Sequence, residues 1–342
     1  MAFKGWKTTI EAGDHVIAYL TRESMSAILI KRDEVYNCRF GQFPHNDMIG
    51  KKFGQKMISH TGKGFMYLLH PTPELWTMVL PHRTQILYLP DISFISSFLD
   101  LKPGTRMIES GTGSGSFSHS IARTIAPTGK LFTFEYHKER ADRAKQEFEE
   151  HGLGDLIQIE HRDVCKNGFG LEDEVHAVFL DLPAPWEAIG SAKKAFKTRR
   201  SGKICCFSPC IEQVTKTVSA LNEHGFVDIT MYECLSRPHD VKGYRILTVD
   251  DAIRQAKEKE AERERVRQEN FLKRKRERDG DTTGEADTSS GTPTPKMDTV
   301  EEQAEMVPVS KTTTETHGHT SFLTFATFLP VQAKDESEAN SV

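Results

Sequence analysis

The chain has six cysteines, Cys38, Cys165, Cys205, Cys206, Cys210 and Cys234, and no two of them stand in C-x-x-C spacing. A cysteine-built zinc site is therefore not expected. The 14 histidines supply no pair at metal-ligand spacing beside an acid, so no metal is expected from them either. His82 and His319 read as structural or ligand-facing rather than catalytic. No apolar run is long enough to span a bilayer, and residues 1–14 contain no apolar signal core. The expectation is an intracellular, reducing compartment with free thiols. A basic excess is missing too: 45 Lys and Arg face 49 Asp and Glu, a net charge of -4. Nucleic-acid binders are commonly more basic. Any RNA-binding surface would then be a local patch, or a partner would supply part of it. What is present is 37% hydrophobic and 27% charged residues in 342. That suffices for one large and one smaller domain, with part of the chain solvated. There is no internal repeat.

Residues 1–80 read as short strands punctuated by glycines. Asp14 to Leu20 and Ser26 to Ile30 are β-branched, half-apolar runs. A small N-terminal β-barrel-like domain is expected there. Residues 81–251 alternate strand and helix patterns. Arg106–Glu109, Lys130–Glu135, Ile157–Ile159, Ala177–Leu180, Ile204–Phe207 and Phe226–Leu235 read as strands. Phe117–Ile125, Lys138–Glu150 and Ile211–Glu223 read as helices. This alternation implies an α/β fold with a doubly wound, mostly parallel sheet. Residues 252–312 are rich in Glu, Lys, Arg and Gln, then in Thr, Ser, Gly and Pro, and cannot bury a core. They read as a charged, disordered insertion, or as a solvated charged helix and tail. Lys273-Arg-Lys-Arg276 within it could instead be a nuclear address or an RNA-contacting arm. A final strand is expected within 313–332, at Phe322–Phe328, and a disordered tail over 333–342.

Two stretches carry chemistry. Glu109-Ser-Gly111-Thr-Gly113-Ser-Gly115-Ser116 lies between a strand and a helix. Glycines let the backbone turn tightly and approach a ligand, and the helix start presents free N–H groups. Glu135, at the end of the second strand, is placed to accept both ribose hydroxyls of a nucleoside. Asp163, after the third strand, can meet the exocyclic amine of an adenine, or be a solvated loop acid. A dinucleotide fold explains Glu135 equally well but does not call for Asp163. The second stretch is Asp181-Leu-Pro183-Ala-Pro185-Trp186, directly after an apolar strand. In open α/β sheets ligands bind beyond the carboxyl ends of the strands, so Asp181 should point into a pocket rather than cap a helix. Trp186 reads more readily as packed on the protein than on a base. A single carboxylate suits chemistry on adenine or another amine-bearing base: a ring nitrogen already has its lone pair, and an acid near the exocyclic amine would orient the base and offset the charge.

Longer segments now become informative: His70–Trp76, Leu80–Tyr88, Glu109–Gly115, Asp181–Glu187 and Phe207–Gln213. Together they resemble the family of catalytic subunits of eukaryotic tRNA (adenine-58-N1)-methyltransferases. The likeness runs from the N-terminus to about Leu235, resumes at His319–Phe325, and leaves the insertion out. It implies a Rossmann-like, seven-stranded class I methyltransferase domain behind the N-terminal β domain. The implied cofactor is S-adenosylmethionine, with no metal, and the implied product is 1-methyladenosine in the T-loop of tRNA. By matching positions, Leu87, Gly111, Gly113, Ser114, Gly115, Ser116, Glu135, Arg140, Asp163, Val164 and Asp181 would bind the cofactor. Asp181 would be the catalytic residue beside the target base. Gln85, Pro183, Ser208, Pro209 and Thr320 would lie near the RNA. The resemblance also implies a non-catalytic paralogous subunit, a heterotetramer, nuclear localisation and no membrane attachment. Two other functions compete. A nicotinamide-dependent oxidoreductase would need a hydride-transfer set such as Tyr-Lys or His-Asp, and none is evident. A non-catalytic tRNA-binding subunit should have lost the glycine loop or Asp181, and both are intact.

Overall fold

The structure, a computed structural model, describes residues 7–21, 24–81, 83–235, 239–245, 249–278, 306–312 and 321–330. The N-terminal strands are β1 (His15–Thr21), β2 (Ser24–Leu29), β3 (Val35–Cys38), β4 (Gly41–Pro44), β5 (Lys56–Ile58) and β6 (Phe65–Leu69). They form an antiparallel sheet in the order β2-β1-β6-β5 and a separate β3-β4 hairpin. Alternation along β1 decides what each face covers. Val16 and Ala18 point into the local core with Ile28, Phe43, Met66 and Leu68. Ile17 points the other way and joins the core of the methyltransferase-like region, with Met25, Ala27 and Leu69 packed against that cluster. The N-terminal sheet is thus packed directly on the following region.

Two helices lead into the large sheet, α1 (Pro73–Val79) and α2 (Leu89–Phe98). The first starts where it does because Thr72 caps it and Pro73 occupies its first turn, where no N–H is needed. Next come β7 (Arg106–Ser110), α3 (Ser116–Ile125), β8 (Lys130–Glu135), α4 (Lys138–Glu150), β9 (Ile157–His161), α5 (Val164–Asn167), β10 (Ala177–Leu180) and α6 (Pro185–Ala195). Then follow β11 (Gly202–Ser208), α7 (Ile211–Glu223) and β12 (Val227–Glu233); β15 (Phe322–Phe328) closes the sheet. Its order is β12-β15-β11-β10-β7-β8-β9. The pairs from β11 to β9 are parallel, and β15 runs antiparallel between β11 and β12. The central strands are apolar on both faces, as a sheet covered by helices on both sides requires. Met107 and Phe179 face one core with α3 and α4, while Ile108, Val178 and Leu180 face the other with α6.

The chain leaves β7 toward β8 on one side of the sheet, whereas β10 and β11 lie on the other. The switch point is therefore the crevice between the carboxyl ends of β7 and β10, which is where ligands bind in such folds. The glycine loop and Asp181 sit at those two ends.

The strands expected from the sequence are found. The loop after Asp181 is shorter than the prolines suggest: Pro185 begins α6 rather than stiffening a loop. Contacts divide the described residues into two units, one from residues 1–236 with 318–342, the other from 237–317. The second contains an antiparallel pair, β13 (His239–Arg245) with β14 (Met306–Thr312), and a long helix, α8 (Val249–Arg278). Part of the segment expected to be disordered is thus helix and strand. The helix needs no buried face because Glu, Lys, Arg, Gln and Ala form helices readily, and its i,i+3 and i,i+4 pairs, such as Arg265 with Glu262 and Glu269, support it.

Candidate active site

The turn from β7 to α3 is built by glycines in conformations that other residues rarely adopt. Gly111 has φ +95°, and a Cβ there would lie 2.2 Å from the Asp181 carbonyl oxygen. Gly113 has φ +54°, and its Cβ would meet the Thr84 hydroxyl at 2.6 Å. Absent side chains let β7 and β10 leave the sheet side by side, with Asp181 N–H donating to the Ser110 carbonyl at 2.8 Å.

The two serines of the loop are engaged with the protein. Ser114 Oγ accepts from Arg83 N–H at 3.0 Å and lies 3.3 Å from Thr84 N. Ser116 Oγ donates to the Leu87 carbonyl at 2.9 Å and meets Thr77 Oγ1 at 2.8 Å. Both therefore fasten segment 83–87, which carries Gln85 and Leu87, against the glycine loop. The Arg83 guanidinium pairs with Glu147 on α4. One turn after Gly115, His119 donates Nδ1–H to the Gly115 carbonyl at 2.6 Å, so its Nε2 accepts from His151 Nδ1–H at 2.8 Å. Burial lowers both histidines, His119 to about 4, so they are neutral. The fold thus gathers His119, Glu147 and His151, which their sequence positions did not suggest. Each has a hydrogen-bond or ion-pair partner within the protein.

Glu135 is 2% exposed. Its Oε2 accepts from Gly113 N–H at 3.1 Å, and its Oε1 accepts from His137 N–H and from the Arg140 guanidinium at 2.7 Å. Arg140 thus orients Glu135. Asp163 is neither a free loop acid nor part of the sheet: it caps α5 through Lys166 N–H at 3.3 Å. Glu135, Arg140, Asp163, Val164, Asp181, Gly111, Gly113, Gln85 and Pro183 all line one cavity of about 420 Å³, together with Phe134, Cys165 and Leu182. Leu87, Ser114, Gly115 and Ser116 line its narrow extension, which Asp181 and Gln85 share. Tyr136, His137, Thr84 and Cys165 are lining residues that the sequence reading did not single out; only proximity to Glu135 and Asp163 could have suggested three of them. Ser208 and Pro209 end β11 and lie outside that lining; Ser208 is fully buried. Thr320, like His82 and His319, falls outside the described residues. Trp186 packs on the protein, beside the core under α6 and beneath the Lys216 ammonium at 4.9 Å.

The electrostatics of the cavity are those of a site for a cation. Burial, with the Glu135 charge adding, pushes the Asp181 carboxyl up to about 7. Burial pushes Glu109 up to about 8; hydrogen bonds from Ser118 and Thr133 pull the other way, and the charges of Asp181 and Glu135 raise it further. Glu109 Oε2 accepts from Ser118 Oγ at 2.7 Å, while its buried Oε1 has no hydrogen-bond partner among the described residues. A ligand bearing a sulfonium and an ammonium, with an adenosine for the apolar walls, fits these acids. A pyrophosphate does not: it would meet Glu135 and Asp181, and the two lining guanidiniums, Arg140 and Arg162, are already paired with Glu135 and Glu160.

A pH dependence follows. Both raised carboxyls hold protons at pH 6 in the ligand-free protein, and a bound cation favours their ionised forms. Binding then releases protons, and S-adenosylmethionine affinity should rise from pH 6 to 8 and level off above, by at most about tenfold per unit for each proton released. The ligand-free protein should behave oppositely, losing stability as pH rises from about 4 and levelling off above 7 to 8, where both carboxyls are ionised in the folded state too. Calorimetry at pH 6 and 8.5 with S-adenosylmethionine and with S-adenosylhomocysteine, whose sulfur is neutral, checks this. An equal dependence for both ligands would contradict the role of the acids.

Sheet order, glycine turn and acid-lined crevice define a class I S-adenosylmethionine-dependent methyltransferase. The profile of the tRNA methyltransferase complex GCD14 subunit family matches residues 64–328. The chain belongs to that family. It is 43% identical over 339 residues to the tRNA (adenine(58)-N(1))-methyltransferase catalytic subunit TRM61 of Candida albicans, covering 97% of this chain and 100% of that one. The protein of the same name from Kluyveromyces lactis is 40% identical, covering 99% of this chain and 92% of its own length. Among solved structures, a SAM-dependent O-methyltransferase from Thermotoga maritima superposes with a TM-score of 0.68 at 26% identity, over 96% of this chain and 97% of that one. The tRNA (m1A58) methyltransferase TrmI of Aquifex aeolicus gives 0.63 at 18% identity, over 94% and 100%, a likeness of fold.

Proposed function

We propose that this protein is the catalytic subunit of a tRNA methyltransferase that transfers a methyl group from S-adenosylmethionine to N1 of adenosine 58 in the T-loop. The observation that carries the reading is the pairing of Asp181 with the glycine turn at the switch point of the sheet, in a chain of this family. When bound, S-adenosylmethionine supplies an electrophilic methyl group. The residues of this chain do the rest. Glu135, held by Arg140 and the Gly113 N–H, is placed for the ribose hydroxyls. Asp163 and Val164 stand at the adenine end, and Leu87 with residues 111–116 forms the end toward Asp181.

Asp181 acts on the target base. N1 attacks with its own lone pair, so the reading calls on no metal-activated or deprotonated nucleophile. The new N1–methyl bond puts positive charge on the ring. The Asp181 carboxylate beside N6 orients the base and offsets that charge. A carboxyl poised near neutral pH can then take the N6 proton. Gln85 and Pro183 line the same cavity, which supports their placement near the RNA. Pro209 and Thr320 complete the proposed RNA contacts; Ser208, fully buried at the end of β11, has no surface to offer an RNA.

The reading includes a non-catalytic paralogous subunit, a heterotetramer and nuclear localisation. A net charge of -4 supports a second subunit that supplies part of the RNA surface. No helix among the described residues is long and apolar enough to cross a membrane. The proposed domains remain 1–80, 81–251, the insertion 252–312 and the closing strand within 313–332. The test is mass spectrometry of nucleosides from unmodified tRNA incubated with S-adenosylmethionine and the enzyme purified with its co-expressed partner. New 1-methyladenosine is expected; a different methylated nucleoside would overturn the substrate assignment.

A further inference from the structure

The catalytic crevice lies at the carboxyl ends of the strands. The opposite edge, where β7, β10 and β11 begin, carries a second cavity of about 490 Å³. Lys102, Thr105, His176, Arg200 and Lys203 line it, and no aromatic ring other than the imidazole does. Two of its cations, Arg200 and Lys203, belong to a basic stretch: Lys193, Lys194, Lys197, Arg199, Arg200 and Lys203 fall between the last turn of α6 and the start of β11. A helix C-terminus explains the first two, and Lys193 donates to the His224 carbonyl at 2.7 Å.

Against the others stand, among the described residues, only the carboxylates of Asp173, held low by hydrogen bonds from Thr198 and then by Lys197 and Arg199, and of Asp100, held low by Lys102 with Lys203 acting in the same direction. Arg199, Arg200 and Lys203 are exposed, and among the described residues none of them is in an ion pair. The nearby acids are already engaged. Asp173 accepts from Thr198 N–H and Oγ–H at 2.6 and 2.9 Å, Glu174 pairs with Arg106, and Asp100 pairs with Lys102 at 2.7 Å. His176 senses the resulting field. Burial and then Lys197 hold its pKa below the ordinary value, with Arg200 and Arg106 acting in the same direction against a backbone hydrogen bond that raises it. Its Nδ1 accepts from Arg106 N–H at 3.0 Å, so the neutral ring carries its proton on Nε2 and offers a donor. A concave wall that holds the Lys102–Asp100 pair, the unpaired cations Arg200 and Lys203 and an imidazole donor, in a chain whose net charge is -4, is a site for an anion. Without an aromatic surface for stacking it reads charge and not base identity.

We propose that this cavity and its 199–203 rim hold the phosphodiester backbone of the substrate tRNA at a distance from the methylated base. The inference rests on the tRNA reading above. Strands of four to seven residues separate the two ends of the sheet, roughly 15–20 Å at ~3.3 Å per residue. Five or six nucleotides at ~3.4 Å each cover that distance.

The test is a double charge reversal, Arg200→Glu with Lys203→Glu, in the enzyme purified with its partner subunit. The expected result is a rise in tRNA KM of about tenfold or more near 0.15 M salt, and a salt slope of tRNA binding smaller by about 2. The kcat at saturating tRNA, the S-adenosylmethionine affinity and the melting temperature should not move. The charge-preserving pair Arg200→Lys with Lys203→Arg should keep the wild-type KM and slope. Unchanged KM and slope in the reversed variant, with the wild type methylating tRNA, would overturn the proposal. Protection of the melting temperature by millimolar inorganic phosphate, lost in the reversed variant while its tRNA affinity is unaltered, would make this a small-anion site and also overturn it. Failure of the wild type to methylate tRNA would instead bring down the tRNA reading, and this inference with it.

Discussion

Replacing Asp181 by alanine should reduce kcat roughly 10³-fold, within the 10²–10⁴ range typical of a positioned acid or base, while leaving the fold in place. The expectation follows from where the carboxyl stands. It closes β10 at the switch point, lines both the cavity and its extension, and has no basic residue among the causes that set its pKa. Removing it takes one acid from the cation site but also a like charge from Glu135 and Glu109, so S-adenosylmethionine affinity should fall by about tenfold at most, far less than kcat. Asp181→Asn keeps an acceptor for the N6 amine without the charge, and its rate should fall between wild type and Asp181→Ala. Single-turnover rates with saturating tRNA, beside calorimetric cofactor binding, separate the two effects. An alanine variant within fivefold of wild type would remove Asp181 from the chemistry.

Gly111→Ala should be nearly as damaging by a different route. The residue stands at φ +95°, where an L side chain is strained. Its Cβ would sit 2.2 Å from the Asp181 carbonyl oxygen, and backbone cannot swing aside as a side-chain end can. Strain of about 1–2 kcal/mol alone corresponds to a roughly tenfold loss, and displacement of Asp181 adds to it. Cofactor affinity and turnover should both fall, turnover by more. Gly113→Ala offers the comparison. It also has positive φ, but its Cβ meets the Thr84 hydroxyl, the end of a side chain that can rotate. Affinities and turnover for the two variants, with melting curves, should rank Gly111→Ala well below Gly113→Ala. The reverse ranking would mean that the contact between the ends of β7 and β10 is not what the glycine protects.

These two positions were legible in the sequence because they depend on local pattern. A strand, three glycines at alternate places and a following helix define the turn. An apolar run ending in an acid defines Asp181. The strands of the sheet were legible for the same reason, since a sheet covered on both faces reads as short apolar runs. What was not legible depends on partners far apart in the chain. Ser114 and Ser116 match cofactor positions by resemblance, yet their hydroxyls bond to Arg83, Thr84, Leu87 and Thr77, 29 to 39 residues away. His119 and His151 meet across 32 residues. Asp163 gave no sign that it caps α5, because that helix is a single turn. The β13–β14 pair joins segments more than 60 residues apart, and composition alone left the second of them without an element.

The cavity also explains why the competing functions are weaker. A nicotinamide cofactor would place a pyrophosphate against acids, whereas a cationic cofactor relieves the mutual repulsion of Glu109, Glu135 and Asp181. A non-catalytic subunit would not need a carboxyl held near neutral pKa at the mouth of the glycine turn.

The central claim is that adenine N1 is the nucleophile, presented to this pocket with Asp181 beside N6. The most direct measurement is methyl transfer to tRNA transcripts carrying 1-deazaadenosine or 7-deazaadenosine at position 58, with the enzyme and its partner subunit. The account predicts no transfer to the 1-deaza substrate, which lacks the N1 lone pair, and transfer to the 7-deaza substrate within about tenfold of the natural one, as expected for loss of a contact worth up to ~1.4 kcal/mol. Methylation of the 1-deaza substrate, or loss confined to the 7-deaza one, would contradict it.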